Sequence, residues 1–531
     1  MVKLTINEKE VEVPEGFTIL QAARKAGIDI PTLCSLEPLT NVAVCRLCLA
    51  EVKGGRALVP ACATPVAEGM VVKTNTDRVL SAIEQNLEFI ASEHDFDCQN
   101  CPRNGNCELQ ILAYRFNLDR LITQHHIRNL EPDTSSPAIT LNYKKCVLCS
   151  RCIRTCAEIQ TVYALDYAFR GYDTIVTTPF NEGLGNSSCV SCGLCTLNCP
   201  VGALTERMEE EEIINKISSG VSYELIADDV ARLALSEEFW YAPGSVKEIS
   251  EEEIIKLGFK RITGTSFFTG LSIVAEAHEI LRNLENDSVK PLISPACPAA
   301  SEFIEKFFPE FKKNIIKVPS QLQLLTKESG NKGKIVVLSQ CIAKKKEIKS
   351  KNINVDYVLS VREMARFIKK KGGTPDSMEF VDIENPSPEI LDYVSGGRTE
   401  LVIRTLFNIN GYKLEESIIA NLRDFTKKTK NFSLKINNQE FNFVVTSTLG
   451  ELRKVLEAVK FGEKVDYIEA RACPNGCISG GGMPIPTNET KRLARSEMIY
   501  SVYDKLKLKD PWESPEIRDA YQKLVGTVKE R

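Results

Sequence analysis

Apolar and polar residues alternate along Val2-Lys3-Leu4-Thr5-Ile6 and along Val11-Glu12-Val13, the pattern of strands with one buried face. Asn7-Glu8-Lys9-Glu10 between them predicts a hairpin connection. Thr18 then opens a helix through Leu20-Gln21-Ala22-Ala23-Arg24-Lys25-Ala26 that Gly27 stops. Residues 1–78 therefore read as a small strand-rich domain. Residues 79–120 read as two helices around a cysteine-rich loop. Residues 121–136 are polar, with Pro132 inside and Pro137 beside them, and are expected to form a linker. Residues 137–208 show little apolar periodicity and carry a second cysteine-rich block. Glu206 and Glu209-Glu210-Glu211-Glu212 read as a solvated helix face. From about residue 220, helical patterns alternate with short apolar runs such as Lys334-Ile335-Val336-Val337-Leu338, Tyr357-Val358-Leu359 and Phe443-Val444-Val445, which predicts an α/β domain. Residues 486–531 read as a helical tail wrapping that domain.

Hydrophobic residues make up 43% of the chain and charged residues 26%, the balance of a globular protein. A length of 531 residues exceeds one ordinary core, in keeping with several domains. The formal net charge of -4 argues against nucleic acid as a partner. No apolar run is long enough to predict a membrane span, and the first residues carry no apolar signal core. A cytoplasmic location is expected. The nineteen cysteines change the picture most. In a reducing cytosol closely spaced cysteines hold metal more often than they form disulfides.

Cys146-x2-Cys149-x2-Cys152-x3-Cys156 and Cys189-x2-Cys192-x2-Cys195-x3-Cys199-Pro200 form the run of a two-cluster bacterial ferredoxin. In that run the fourth cysteine of each group crosses to the other cluster. Cys146, Cys149, Cys152 and Cys199 are assigned to one 4Fe–4S cluster, and Cys189, Cys192, Cys195 and Cys156 to a second. Zinc runs pair two and two rather than repeating a four. Ala157 stands where the first run would usually end in proline. Cys34-x10-Cys45-x2-Cys48-x13-Cys62 suggests a 2Fe–2S cluster, although the spacing departs from the plant type and a structural zinc competes on spacing alone. His94-x3-Cys98-x2-Cys101-x5-Cys107 places one of four histidines just before three cysteines. It reads as a 4Fe–4S cluster with one imidazole ligand, whose neutral ring changes the cluster's charge and potential. His125 and His126 are expected to be exposed and carry no assigned role. Cys297, Cys341, Cys473 and Cys477 remain. Cys473-Pro474-Asn475-Gly476-Cys477 runs into Ser479-Gly480-Gly481-Gly482, a cramped loop whose backbone can approach a bulky inorganic group. One further cluster held by these four uses every cysteine in the chain.

At these residues the chain resembles the iron-iron hydrogenase family. Ser294-Pro295-Ala296-Cys297-Pro298, Gln340-Cys341-Ile342-Ala343-Lys344-Lys345-x-Glu347 and Glu469-Ala470-Arg471-Ala472-Cys473 through Met483-Pro484 resemble the three loops around that family's H-cluster. The third loop is the most specific. Ser501-Val502-Tyr503-Asp504 with Glu513-Ser514-Pro515-Glu516-Ile517 resembles its small-subunit segment. The resemblance spans the chain and implies a multidomain α+β and α/β architecture. A β-grasp 2Fe–2S ferredoxin-like domain would occupy 1–78. A small helical domain, its 4Fe–4S cluster held by one histidine and three cysteines, would occupy 79–120, and a two-cluster ferredoxin-like domain 137–208. A large α/β H-cluster domain would occupy 220–531, with the small-subunit-like segment at 486–531. The implied activity is reversible interconversion of H2 with protons and electrons.

On the same resemblance, Cys297, Cys341, Cys473 and Cys477 would hold the H-cluster's 4Fe–4S cubane. Cys477 would bridge to a two-iron subsite bearing carbonyl, cyanide and a dithiolate, and Lys344 would donate a hydrogen bond to a cyanide. Glu276 and Glu279, three apart on one helical face, match outer carboxylates of the family's proton path. Several positions depart from the family. Ala296 stands where a proton-transferring cysteine is usual, and Ile316 where a hydroxyl is. Ser339-Gln340 replaces Met-Pro, Arg471 replaces methionine, and Asp228-Asp229 falls in a stretch that is typically apolar. A positioned acid–base group contributes about 10²–10⁴-fold, so the loss at Ala296 implies slow turnover. These departures resemble a hydrogen-sensing branch, with ferredoxin or another carrier as electron partner and a downstream signalling protein. Residues 1–208 alone fit equally an electron-transfer subunit resembling the large cluster-bearing subunit of complex I. The Cys473–Met483 loop with Cys341 and Lys344 separates the two. A third reading is a maturation or structural iron–sulfur protein without the two-iron subsite.

Overall fold

Strands β1 (Val2–Ile6) and β2 (Lys9–Val13) pair antiparallel around Asn7-Glu8. Both turn residues have positive φ, 45° and 70°, the twist a two-residue hairpin needs. With β3 (Leu49–Val52), β4 (Val59–Pro60) and β5 (Val71–Lys73) they form a five-stranded sheet in the order β2-β1-β5-β3-β4. The helix Ile19–Lys25 is capped reciprocally by Thr18 and Gln21. Its buried residues Ile19, Leu20, Ala22 and Ala23 share one core with Cys48 and Cys62. The computed structural model describes residues 1–118, 127–328, 334–436 and 439–529.

Helices Asp77–Ser92 and Glu108–Arg115 flank the loop of Cys98 and Cys101, as the sequence predicts. Of the expected linker, residues 121–126, with His125 and His126, lie outside the described residues. The rest is no free spacer. Arg128 is buried and donates to Thr174 O at 2.8 Å, Cys146 O at 3.2 Å and Glu93 at 2.5 Å. Asp133 bridges to Leu141. A buried guanidinium must find acceptors, and here they fasten the segment to the second cysteine block. That block contains β6 (Ile139–Leu141), β7 (Asp166–Ala168), β8 (Ile175–Thr177) and β9 (Leu204–Glu206); β6 pairs with β9 and β7 with β8.

The rest of the chain alternates helices with β10 (Tyr223–Ala227), β11 (Lys247–Ile249), β12 (Phe259–Gly264), β13 (Leu292–Ile293), β14 (Lys334–Ser339), β15 (Tyr357–Ser360), β16 (Phe380–Asp382), β17 (Thr429–Ile436), β18 (Gln439–Ser447) and β19 (Tyr467–Arg471). One sheet runs β12-β10-β14-β15, all parallel. A second runs β13-β19-β18-β17, with β17 antiparallel to β18. β11 and β16 form a short antiparallel pair. The central strands are buried on both faces and read as continuous apolar runs for that reason. The helix Pro515–Lys529 packs on Ser266–Arg282 through Ile517 and Tyr521, and the Tyr521 ring stacks on His278 at 4.3 Å.

The glutamate run is a solvated face at Glu211 and Glu212, which are exposed, but not elsewhere. Glu206 and Glu210 are buried. Arg366 reaches Glu206 at 2.8 Å and Glu210 at 2.9 Å, Arg362 donates to Glu206, and Lys345 joins Glu209 at 2.7 Å to Glu363 at 3.0 Å. This layer of ion pairs joins the second cysteine block to the α/β domain.

Candidate metal centres

Loops that follow the carboxyl ends of parallel strands gather at that end of their sheet, and here such loops from two sheets meet at one cavity. Cys297 follows β13, Cys341 follows β14 and Cys473 follows β19; Cys477 opens the next short turn, Cys477–Ser479. All four line one cavity with an empty volume of ≈ 590 Å³, together with Ala296, Gln340, Lys344, Tyr393 and Arg471. Burial pushes the Cys473 thiol well up, and the nearby Cys477, Cys297 and Cys341 push it further.

Lys344 stands in the first turn of the helix Ala343–Ser350. Its Nζ donates to Asp228 Oδ1 at 2.9 Å, Asp228 Oδ2 at 2.7 Å and Gln321 Oε1 at 2.9 Å. Burial lowers the ammonium's pKa, but the charge and hydrogen bonds of Asp228, with the nearby Cys341 and Glu347, together outweigh it and hold Lys344 above the usual lysine value. Arg471 donates to Asp392 at 2.7 Å and Glu469 at 3.0 Å, and directs Nη1 at Cys477 Sγ, 3.6 Å away.

Glu276 and Glu279 share a face of the helix Ser266–Arg282 but not an environment. Glu279 is half-buried and pairs with Arg282. Glu276 is fully buried and accepts from Arg398 Nε and Tyr467 OH, both at 2.7 Å. From Glu276 the bonds continue inward through Arg398 to Asp392 at 3.3 Å, and from Asp392 to Arg471. A guanidinium does not give up a proton, so this line of bonds braces the cavity wall and does not pass protons along it. Ile316 lies in the apolar core.

The thiols of the two ferredoxin-like runs gather around two cavities. Cys146, Cys149, Cys152 and Cys199 line a cavity of ≈ 340 Å³. Cys156, Cys189, Cys192 and Cys195 line another of ≈ 370 Å³. Cys192 also lines the large cavity. The next residue, Gly193, at φ +76°, meets Gly481; a Cβ on Gly481 would lie 2.7 Å from Gly193 Cα. His94 is buried, with Nδ1 3.0 Å from Lys145 O. A carbonyl only accepts, so Nδ1 carries the hydrogen and Nε2 keeps its lone pair. Burial pulls this imidazole down to about 4, which keeps it neutral. Cys98 and Cys107 are each raised first by burial and then, among other groups, by Cys101. Cys34, Cys45, Cys48 and Cys62 are buried, and Cys62 N–H donates to Cys48 Sγ at 3.5 Å. Arg154 donates to both Cys34 O at 2.5 Å and Cys149 O at 3.3 Å, tying this group to the first ferredoxin-like cavity.

The residues present fit iron–sulfur groups. Arg103 is 6% exposed, and its Nε and Nη1 have no partner among the described residues. Burial lowers its pKa, opposed by the neighbouring Cys199 and Cys107. A buried cation of this kind needs negative charge beside it, and thiolate-held clusters supply it. Gln340 Oε1, on the large cavity's wall, likewise lacks a partner among the described residues. Among those residues no three His, Cys, Asp or Glu close on a point small enough for a single ion; the thiols ring wider spaces. Arg103, Gln321, Asp392, Tyr393 and Arg398 escaped the sequence reading.

Residues 225–481 match the C-terminal domain of the iron only hydrogenase large subunit. Residues 1–77 match a 2Fe-2S iron-sulfur cluster binding domain, 84–121 the NADH-ubiquinone oxidoreductase-G iron-sulfur binding region, and 136–205 the ferredoxin-like domain of NADH-quinone oxidoreductase subunit 3. The NADP-reducing hydrogenase subunit HndD of Solidesulfovibrio fructosivorans is 34% identical over 99% of this chain and 96% of its own. Iron hydrogenase 1 of Clostridium pasteurianum is 26% identical over 99% and 97%. The NADH-ubiquinone oxidoreductase 75 kDa subunit of Reclinomonas americana is 37% identical, but over 39% of this chain and 30% of its own.

Proposed function

Because this chain belongs to the iron-only hydrogenase family, we propose that it interconverts H2 with protons and electrons at the Cys297–Cys341–Cys473–Cys477 cavity, slowly, and reports hydrogen to a partner protein. The observation that carries this is the meeting of four thiols, from the loops after three distant strands, around one cavity beside Lys344. The four cysteines would hold the H-cluster, with Cys477 shared with its two-iron subsite and Lys344 hydrogen-bonding a cyanide. When bound, that group supplies the redox chemistry of dihydrogen. The protein's own part is to anchor it, shield it and supply charge.

One 2Fe–2S and three accessory 4Fe–4S clusters would form the relay. Arg154 links the 2Fe–2S group to the Cys146 cavity, and Gly202 links the His94 group to it, since a Cβ there would lie 2.6 Å from Cys101 Sγ. Cys192 then leads from the Cys189 cluster to the large cavity. Ferredoxin or a similar carrier would exchange electrons with this relay. Slow turnover follows from the methyl group of Ala296 on the cavity wall and from the arginines inward of Glu276. Among the described residues no helix is long and apolar enough to cross a membrane, and the proposed location is the cytoplasm. A complex I-type electron-transfer subunit accounts only for the first two-fifths of the chain, whereas the hydrogenase likeness runs through it.

The fully matured protein is expected to show infrared bands of metal-bound carbonyl and cyanide and to evolve H2 from a reduced carrier. Absence of both from a fully loaded chain defeats the proposal.

A further inference from the structure

A buried ion pair sits on the wall of the large cavity where the proposed chemistry needs only a cation. An ammonium has three hydrogens to give. Lys344 faces three acceptor atoms at hydrogen-bond distance: both oxygens of Asp228 and Oε1 of Gln321. Asp228 is fully buried just past the end of β10, with its backbone N–H bonded to Leu338 O at 3.0 Å. Its carboxylate is held from both sides. Ser339 Oγ donates to Oδ2 at 2.5 Å and Thr265 Oγ1 to Oδ1 at 3.0 Å, with Tyr393 OH 3.5 Å from Oδ1. So fastened, the carboxylate cannot swing away from Lys344. Lys344 and Gln321 line the cavity, and Asp228 stands behind them.

We propose that Asp228 is a positioning residue that divides the Lys344 ammonium between the protein and the cyanide-bearing two-iron subsite, so that the subsite receives a weaker hydrogen bond than an unpaired lysine would give. This rests on the hydrogenase reading of the cavity. In a buried site an ion pair presents a dipole where a lone ammonium presents a full charge, and the difference is large because little water screens it. Less charge drawn toward Lys344 leaves more electron density on the subsite's iron, which sets its potential from outside the ligand shell.

The test uses the matured holoprotein and its cyanide stretching bands. Asp228→Asn removes the carboxylate charge at nearly constant shape and is expected to move a cyanide band to higher wavenumber, as a stronger hydrogen bond to its nitrogen requires. Asp228→Glu should restore a position near that of the unaltered protein. Thr265→Val takes one competing donor from the carboxylate, tightens its hold on Lys344, and should move the band the other way. In a Lys344→Met background Asp228→Asn should produce no shift. Unmoved bands in Asp228→Asn, or an equal shift without Lys344, overturn the proposal. If Asp228→Asn fails to take up the cofactor, the Thr265→Val shift decides, and its absence or reversal is equally fatal. An unaltered protein with no carbonyl or cyanide bands instead defeats the reading of the cavity itself.

Discussion

Ala296 offers the cavity a methyl group that can neither take nor give a proton. Replacing it by cysteine supplies a thiol at that wall, and Ala296→Cys is expected to raise hydrogen evolution about tenfold. That falls short of the full ~10²–10⁴-fold of a complete relay, because Ile316 and Arg398 still interrupt the line outward. An assay with excess reductant checks it, and an unchanged rate would mean that Ala296 is not the bottleneck. Arg103 makes a second residue-scale prediction. Arg103→Gln removes a buried positive charge beside Cys199 and Cys107, so at least one accessory cluster should become harder to reduce. A redox titration followed by electron paramagnetic resonance reads that shift directly. The cysteines were legible in the sequence because ligand spacing is local. The charges around them were not. Arg398 meets Glu276 across 122 residues of chain, and Lys344 meets Asp228 across 116. Asp228 and Arg471 could be marked as unusual only by resemblance, and nothing in the sequence named their partners.

At the scale of elements, the hairpin β1–β2 and the helix Ile19–Lys25 follow from alternation and capping alone. The glutamate run misled at Glu206 and Glu210 for a physical reason: a charge run is solvated unless something else brings the countercharge, and the helix Val361–Lys370 brings Arg362 and Arg366. The short helical turn Pro388–Tyr393 carries a testable pH dependence. Burial raises the Glu389 carboxyl to about 7, with the charges of Asp229 and Asp510 adding to it. The folded state therefore holds this proton more tightly than the unfolded chain. Its contribution is complete below the ordinary glutamate value and is lost as pH rises toward about 7. Glu389→Gln should leave stability nearly unchanged at pH 5, raise it by about 1–3 kcal/mol at pH 8, and flatten the slope between, as thermal unfolding across pH would show.

For the whole molecule, separate cysteine blocks become one wired body only through contacts that no local pattern announces. Arg362 is the clearest. It bonds Glu206 of the second cysteine block, Gly481 O at 2.8 Å and Met483 O at 2.6 Å, so one side chain clasps two domains. Arg362→Ala would leave Glu206 buried with Arg366 as its one remaining strong cation, and is expected to cost about 3–5 kcal/mol. The same change should slow electron delivery more than it slows hydrogen exchange that needs no external electrons. Comparing carrier-driven evolution with H/D exchange in the variant separates the two effects. Domain order and fold class were readable from cysteine blocks and strand pattern, whereas this clasp was not, because it depends on two backbone carbonyls.

Cys192 belongs to the walls of two neighbouring chambers. Injury at the proposed gas-reacting end therefore need not stay there. An oxidant small enough to enter the larger chamber finds that sulfur within reach, and a thiolate oxidised there no longer binds iron. Loss of one atom would then unseat the adjoining cluster and cut the supply line from behind, a failure that restoring the front chamber alone could not mend.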